Sequence, residues 1–292
     1  MVVPVIITYN FLDDFYERTA HLLSQYEHGV IVDNCSQPDC KRDLYRLKEQ
    51  FPGLSLIENS DNLGIAGALN QGCRQALDLG ADWVLTLDQD SEVSENMVET
   101  MLLAYEALPE DVREKCVSLF PTYQDRNLLQ GQKVVSDPAD VSSTQVVVEI
   151  TSGNLLRHDV FEKVGYFDES LFIDYVDHDF CLRLNSAGYQ LRQCSGAVLM
   201  HQLGDYRETS FLGFHFWSSN SSPLRCYYRT RNRFEICRRY AKRFPAFLKH
   251  DRKTFLVNTL KILLGEKQRL LKLSMIIRGL SDYFFRRFGK LA

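Results

Sequence analysis

The sequence contains no Cys-x-x-Cys pair, and its eight cysteines lie far apart along 292 residues. That excludes a zinc ribbon or a dithiol redox centre, and the cysteines are too sparse for a disulfide scaffold. The expectation is reduced thiols in a cytoplasmic protein. No apolar run approaches the roughly 20 residues that cross a bilayer. The apolar opening Met1–Thr8 has neither a basic n-region nor a cleavage site, so it reads as a first strand and not as a leader. Phosphate-binding signatures are missing too. Gly64-Ile-Ala-Gly67 follows a strand but is not G-x-G-x-x-G, and no Walker lysine comes after it.

What is present is ordinary in bulk and uneven in detail. A hydrophobic fraction of 45% and a charged fraction of 25% suit a globular chain of one large or two modest domains. The net charge of −4 hides a split: residues 1–224 carry 15 Lys/Arg against 34 Asp/Glu, and residues 225–292 carry 19 against 4. A basic tail of this kind is built for an anionic partner, nucleic acid or a membrane surface.

The densest signal is Trp83-Val-Leu-Thr-Leu-Asp-Gln-Asp-Ser91, an apolar run ending in Asp88 and Asp90. Such a run reads as a strand buried on both faces of a parallel sheet. Ligands sit at the carboxyl ends of those strands. Residues two apart on an extended backbone point the same way, so both carboxylates would face one ligand. Paired carboxylates suit a hard divalent cation and, through it, a phosphate-bearing substrate. A solvated Asp-rich turn would carry the same letters.

Along the chain, strands are expected at Val2–Thr8, Val30–Val32, Leu54–Glu58 and Trp83–Leu87, with helices over about 13–26 and 40–50 and a third that opens from a turn over 59–68 and runs to about 79. This alternation predicts a doubly wound sheet whose carboxyl edge gathers Asn10, Asp33, Asn62, Gly64, Asp88 and Asp90. A helix over about 95–108, strands near 116–121 and 145–150, and a polar surface excursion over 124–144 follow. A second dense region, Leu171-Phe-Ile-Asp-Tyr-Val-Asp-His-Asp-Phe-Cys-Leu-Arg183, sets Asp174, Asp177 and Asp179 among large apolar residues. There a carboxylate gains basicity suited to a general base. A strand over 188–200 ends at His201, a candidate nitrogen ligand for the cation. Residues 206–224 read as a flexible aromatic loop suited to a lid. A basic helix then starts at Tyr227, with Arg229 and Arg233 one turn apart. Residues 244–264 and 268–288 read as two basic amphipathic helices, which suggests a membrane surface.

In order and spacing, Val5-Ile-Ile-Thr-Tyr-Asn10, Val32-Asp-Asn-Cys-Ser36, Asn62-Leu-Gly-Ile-Ala-Gly67, Leu87–Ser91, Ser152-Gly-Asn154, Phe172–Arg183, His201 and Tyr228-Arg-Thr-Arg-Asn232 resemble the family 2 glycosyltransferases of GT-A fold. Bacterial rhamnosyltransferases are the most similar in pattern. The resemblance implies a Rossmann-like, mostly parallel sheet flanked by helices, with a catalytic domain over 1–224 and a basic helical region over 225–292. It implies inverting transfer of a sugar, L-rhamnose from dTDP-L-rhamnose, to a lipid-linked cell-surface polysaccharide such as an O-antigen. The enzyme would work at the inner face of the membrane. Thr8, Asn10, Asp33, Asn62, Gly64, Asp88, Gln89, Asp90, Arg229, Arg231 and Asn232 would hold the donor. Asp90 and His201 would hold Mg²⁺ or Mn²⁺, and Asp177 would be the catalytic base. Gly153, Asn154, Asp174 and Asp179 would line the acceptor site. Val176 stands where many members carry a glutamate before the base. The alternatives are a UDP- or GDP-sugar donor, a nucleotidyltransferase, whose Gly-rich basic signature Val5–Asn10 lacks, and a nucleic-acid-binding protein led by the tail. The amphipathic rather than stacking character of the tail argues against nucleic acid.

Overall fold

The computed structural model describes residues 1–11, 14–125, 137–201, 207–211, 214–218 and 220–291. Two compact units emerge: Met1–Asp168 with Phe180–Gln202, and Glu169–Asp179 with Leu203–Ala292. The charge boundary near residue 224 lies inside the second unit.

In the first unit the chain runs β1 (Val2–Thr8), α1 (Phe15–Leu23), β2 (Gly29–Asp33), α2 (Pro38–Gln50), β3 (Leu54–Glu58), α3 (Gly64–Asp78) and β4 (Trp83–Asp88). It continues through β5 (Glu92–Val93), α4 (Met97–Glu106), α5 (Glu110–Arg113), β6 (Cys116–Asp125), β7 (Ser143–Val146), β8 (Asn154–Arg157) and α6 (Val160–Val164). Then come α7 (Val176–Ser186), whose first four residues belong to the second unit, and β9 (Gln190–His201). The strands form one sheet in the order β3-β2-β1-β4-β8-β6-β9-β5, with β7 also on β9. The half built from β3, β2, β1 and β4 is parallel, as the alternation predicts. Beyond β4 the sheet is mixed. Here β8 runs antiparallel to β4 and β6, β6 and β9 are parallel, and β5 and β7 are antiparallel to β9. This is the GT-A type of α/β sheet flanked by helices that the sequence led us to expect.

The apolar strands explain the half that was legible. All of Val84–Leu87 is buried, so β4 is covered on both faces. Ile6, Ile31, Leu85, Leu155 and Leu199 from the strands form one core with Phe15, Leu22, Leu44 and Met101 from the helices. Gly72 lets α3 press on β1, since a Cβ there would lie 2.3 Å from Val5 Cγ1. The four residues of β8 are too short to show a period.

Two expectations need correction. The strand expected over 145–150 is Ser143–Val146, and 147–150 belong to no strand. The lid-like loop expected over 206–224 contains an antiparallel hairpin, β10 (Arg207–Phe211) with β11 (Phe214–Ser218). Phe211, Phe214, Phe216 and Trp217 are residue types that favour strand, so the aromatic content that suggested a lid fits a hairpin as well. The polar loop over 125–132 lies almost wholly outside the described residues, as does Asp13 at the expected start of α1.

The second unit adds α8 (Pro223–Tyr240), α9 (Pro245–Gly265) and α10 (Arg269–Phe284). Ser222 caps α8 by accepting from the Arg225 N–H, ahead of Pro223 at the first helical position. Gly279 of α10 sits where a Cβ would lie 2.6 Å from the Tyr227 carbonyl, so α10 and α8 pack closely. Helix α9 turns its leucine stripe outward. Leu256, Leu260 and Leu263 are exposed, and the buried face is Leu248, Asp251 and Ile262. No helix among the described residues is long and apolar enough to cross a membrane.

Candidate functional site

The carboxyl edge of the parallel strands brings the expected donor residues of the first unit together. Thr8 lies opposite Asp33, and Ile7 opposite Asp88, in adjacent strands. Asp33 is fully buried; it accepts from Thr8 Oγ1 at 3.0 Å and from the Ser36 N–H at 3.0 Å. Asn10, at φ 50°, donates its N–H to Ser36 Oγ, and its side-chain oxygen accepts from the Gln37 N–H. The Asn62 side-chain oxygen accepts from the Gly64 N–H at 2.8 Å and from Asn34 Nδ2 at 3.1 Å. These Asx-type bonds fix the start of α3. Sequence reasoning passed over Asn34, although Asp-Asn-Cys-Ser after a strand is turn chemistry.

The Asp88–Asp90 turn is held from both sides. Gln89 Oε1 accepts from the Tyr9 N–H, and its carbonyl accepts from Arg18 at 2.9 Å. The Asp88 N–H donates to Ser152 Oγ at 3.2 Å, and the Gly153 N–H donates to the Thr86 carbonyl at 2.8 Å. Gly153 has φ 78°, and a Cβ there would lie 2.8 Å from Pro121 Cγ. Asn154 is buried, its side-chain oxygen bonded by Ser118 Oγ at 2.7 Å. Gly153 and Asn154 thus lie against the end of β4.

Register also brings the two expected metal-binding segments alongside each other. Glu92 pairs with Met200 in antiparallel register, so the next step along β9 puts the His201 backbone beside Ser91. Two carboxylates and an imidazole form a donor set that fits Mg²⁺ or Mn²⁺. Among the described residues no three-residue cluster of metal-binding side chains is assembled. A cavity of about 240 Å³ beside this turn is lined by Arg18, His21, Asp88, Gln89, Ser91 and Glu92, among others. Small-molecule pockets run to roughly 300–1,000 Å³, so this cavity alone does not house a nucleotide sugar.

The second unit holds the other expected residues around one strained segment. Phe172, Asp174 and Tyr175 all have φ between 63° and 66°. Left-handed backbone at non-glycine residues costs of order 1–3 kcal/mol each and persists only where the surroundings impose it. Helix α8 imposes it. Asn232, fully buried, donates to the carbonyls of Leu171, Ile173 and Asp174 at 2.8–2.9 Å. Arg231, 1% exposed, donates to the carbonyls of Ser170, Leu171 and Gly289. Asp174 accepts from Arg225 at 2.7 Å and from Arg229 at 3.1 Å. Of the arginines the sequence assigned to the donor, Arg229 is half-exposed and Arg231 is enclosed by backbone.

The segment delivers Asp177 into the first turn of α7. Its carboxylate accepts from the His178 N–H at 2.8 Å and from His178 Nδ1 at 2.7 Å. Burial pushes the Asp177 carboxyl up, but the charge and hydrogen bonds of His178, with Arg225 beyond, hold it below the usual carboxylate value, so the gain in basicity expected from its apolar neighbours is reversed by its charged ones. Burial pushes the His178 ring down, yet Asp177, aided by Asp251 and opposed by Arg233, raises it above the usual imidazole value. Tyr175 and Phe247 face the ring at 4.6 and 5.8 Å. Asp179, 1% exposed, accepts from Arg239 at 2.8 Å and from Tyr240 Oη at 2.9 Å. Nothing local in the sequence links Arg225, Arg239 or Tyr240 to these carboxylates, whereas His178 stands beside Asp177 and was open to recognition as its partner.

The sign of these shifts fixes a pH window. The contribution of Asp177 is present above its ordinary value near 4 and is lost as pH falls through its lowered value. The contribution of His178 is complete below about pH 6.5 and is lost as pH rises through its raised value. The pair therefore stabilises most between about pH 4 and 6.5. In His178→Gln the melting temperature should fall most against the parent near pH 6, and the gap should narrow by pH 9. A constant gap would remove the ionic role of the pair.

Comparison with known proteins agrees with the fold. The chain is 28% identical over 285 residues to the dTDP-rhamnosyl transferase RfbF of Shigella flexneri, covering 92% of this chain and 90% of that protein. It is 26% identical over 199 residues to the galactofuranosyltransferase GlfT1 of Mycolicibacterium smegmatis, covering 64% and 65%. Among solved structures, the mannosyltransferase PcManGT from Pyrobaculum calidifontis, in complex with GDP-Man and Mn²⁺, superposes with a TM-score of 0.60 at 16% identity, over 99% of this chain and 76% of that one. GalNAc-T7 with UDP, GalNAc and Mn²⁺ gives 0.59 at 14% identity over 87% of this chain, which spans half the length of that one. The model of glycosyl transferase family 2 matches residues 5–165, from β1 to just past α6. With that match over more than half its length, the chain belongs to glycosyl transferase family 2.

Proposed function

We propose that this glycosyltransferase moves L-rhamnose from dTDP-L-rhamnose onto a hydroxyl of a lipid-linked cell-surface saccharide, such as an O-antigen intermediate, at the inner face of the membrane. The donor assignment is supported by the near-full-length similarity to the rhamnosyl transferase of Shigella flexneri. Thr8, Asn10, Asp33, Asn62 and Gly64 serve the nucleotide, and Asp88, Gln89 and Asp90 the ribose and diphosphate. Gly153 and Asn154 belong to the sugar and acceptor side. Asp90 and His201 would hold Mg²⁺ or Mn²⁺, the latter being present in two of the structural neighbours. When bound, such a cation supplies positive charge against the diphosphate.

The acceptor oxygen attacks the anomeric carbon as the bond from that carbon to the diphosphate oxygen breaks. The proton of the hydroxyl passes to Asp177, and the nucleoside diphosphate leaves as an anion needing no proton. Arg225 and Arg229 meet the departing charge, and Asp174 positions both. Asp179 positions α8 through Arg239 and Tyr240, and Arg231 and Asn232 shape the segment that carries the base. One base and one displacement give inversion. The observation that carries this reading is the strained 172–175 segment, held by four side chains of α8 and leading directly into Asp177.

A thermal-shift and donor-hydrolysis screen with Mg²⁺ or Mn²⁺ tests the donor. dTDP-L-rhamnose should stabilise the protein and be hydrolysed, with UDP-glucose, UDP-galactose and GDP-mannose inert. A larger response to a UDP- or GDP-sugar would overturn rhamnose as the sugar moved. Asp90→Ala should abolish the metal-dependent part of the donor shift. An unchanged metal dependence would remove Asp90 from the cation site.

A further inference from the structure

The basic tail is more one-sided in space than in composition. Its four carboxylates are all enclosed by partners. Glu235 meets Arg238, Arg239 and Arg286; Asp251 meets Arg233. Glu266 meets Lys272, and Asp282 meets Tyr227 and Arg287. None of these four side chains is more than 11% exposed. Lys249, Arg252, Lys253, Arg269 and Arg278 of α9 and α10 are exposed. The charge that α9 and α10 present to solvent is therefore cationic throughout.

Large apolar side chains stand among these cations. Leu256, Leu260 and Leu263 of α9 are 68%, 54% and 45% exposed, at the spacing of one helix stripe. Leu270, Ile277 and Phe284 of α10, seven residues apart, are 78%, 67% and 73% exposed. Monomeric proteins seldom leave so many large apolar groups in water without a partner. We propose that the exposed faces of α9 and α10 dock on an anionic lipid bilayer, with the leucine, isoleucine and phenylalanine side chains entering the headgroup–acyl boundary and the lysines and arginines meeting lipid phosphates.

Charge selects a bilayer over a second copy of the chain. A two-fold contact would set this cationic face against itself, which like charges oppose. Neither helix is long and apolar enough to span, so the mode is surface attachment. The proposal specifies the surface behind the membrane location given under the proposed function and rests on that part of it. It makes no use of the donor or the base.

The test is co-sedimentation of the full chain with vesicles of phosphatidylcholine, with and without about 30% phosphatidylglycerol, in the absence of any sugar nucleotide. Binding should require the anionic lipid and weaken as salt rises from about 0.1 to 0.5 M. The triple variant Leu260→Ser, Leu270→Ser, Ile277→Ser should bind at least about tenfold more weakly, since three large apolar groups no longer enter the interface. The triple variant Lys249→Ser, Arg252→Ser, Lys253→Ser should lose about fivefold per cation. All six positions are solvent-facing, so parental melting temperatures are expected in both variants. Equal binding to neutral vesicles, or no binding at all, overturns the proposal. So does a dimer in sedimentation velocity that the apolar variant converts to monomer, which would give the face to a second copy. Vesicle binding by a protein that fails to use dTDP-L-rhamnose would leave this inference standing and remove the donor assignment instead.

Discussion

Asp177→Asn should lower kcat by about 10²–10⁴-fold, the usual worth of a positioned general base, with donor affinity near the parental value. Asparagine keeps the shape and can still accept from the His178 N–H, but it takes no proton. The expected split is informative because Asp177 lies in a cluster of charged groups that includes Asp174, Arg225 and Arg229. A residue that held the diphosphate would weaken donor binding when changed. Stopped assays for kcat and calorimetry for donor affinity, on the same preparation, separate the two. Loss of donor affinity with kcat intact would move Asp177 from the proton to the phosphate.

Arg231→Met should be the most destabilising change in α8. The guanidinium is buried, and its donors end on the carbonyls of Ser170, Leu171 and Gly289. Methionine has a comparable reach but strips the Gly289 carbonyl of its guanidinium donor, while Leu171 and Ser170 keep their bonds from Asn232 and from the Gly289 N–H. Leaving a buried acceptor unsatisfied costs about 1–3 kcal/mol, and the lost bonds to the other two carbonyls bring the total to about 2–4 kcal/mol. For a chain of this size that corresponds to a fall in melting temperature of about 3–7 °C. Arg229→Met, at a half-exposed position, should shift melting by only about 1–3 °C and act on turnover instead. Scanning calorimetry of the two variants checks this. A stable Arg231→Met protein with weakened donor binding would return Arg231 to the diphosphate, the role its place in Tyr228-Arg-Thr-Arg-Asn232 first implied.

That reversal shows what could and could not be read from the letters. The parallel half of the sheet was legible because its strands are apolar runs closed by turn residues, and period and punctuation are local. The ends of those strands followed from topology, so Asp33, Asn62, Gly64 and Asp88 fell on one edge as expected. The antiparallel strand β8 was not legible, since four residues carry no period. Nor was the 207–218 hairpin, whose aromatic residues suit a lid and a strand alike. The motif around Arg229 was recognised, but its direction was not: a helix turns about 100° per residue, so neighbouring positions face different surroundings. Only the fold decided that Arg229 reaches Asp174 while Arg231 and Asn232 point at the strained segment. Pairings across tens of residues, such as Asp179 with Arg239, leave no mark in a single sequence. The family match settles glycosyl transfer over nucleotidyl transfer.

The anomeric configuration of the product tests the chemistry most directly. With dTDP-L-rhamnose and a hydroxylated saccharide acceptor, proton and carbon NMR of the purified product should show the linkage inverted relative to the donor, as a single displacement with Asp177 as base requires. Retention of the donor's configuration would demand a second displacement and contradict the account at its centre.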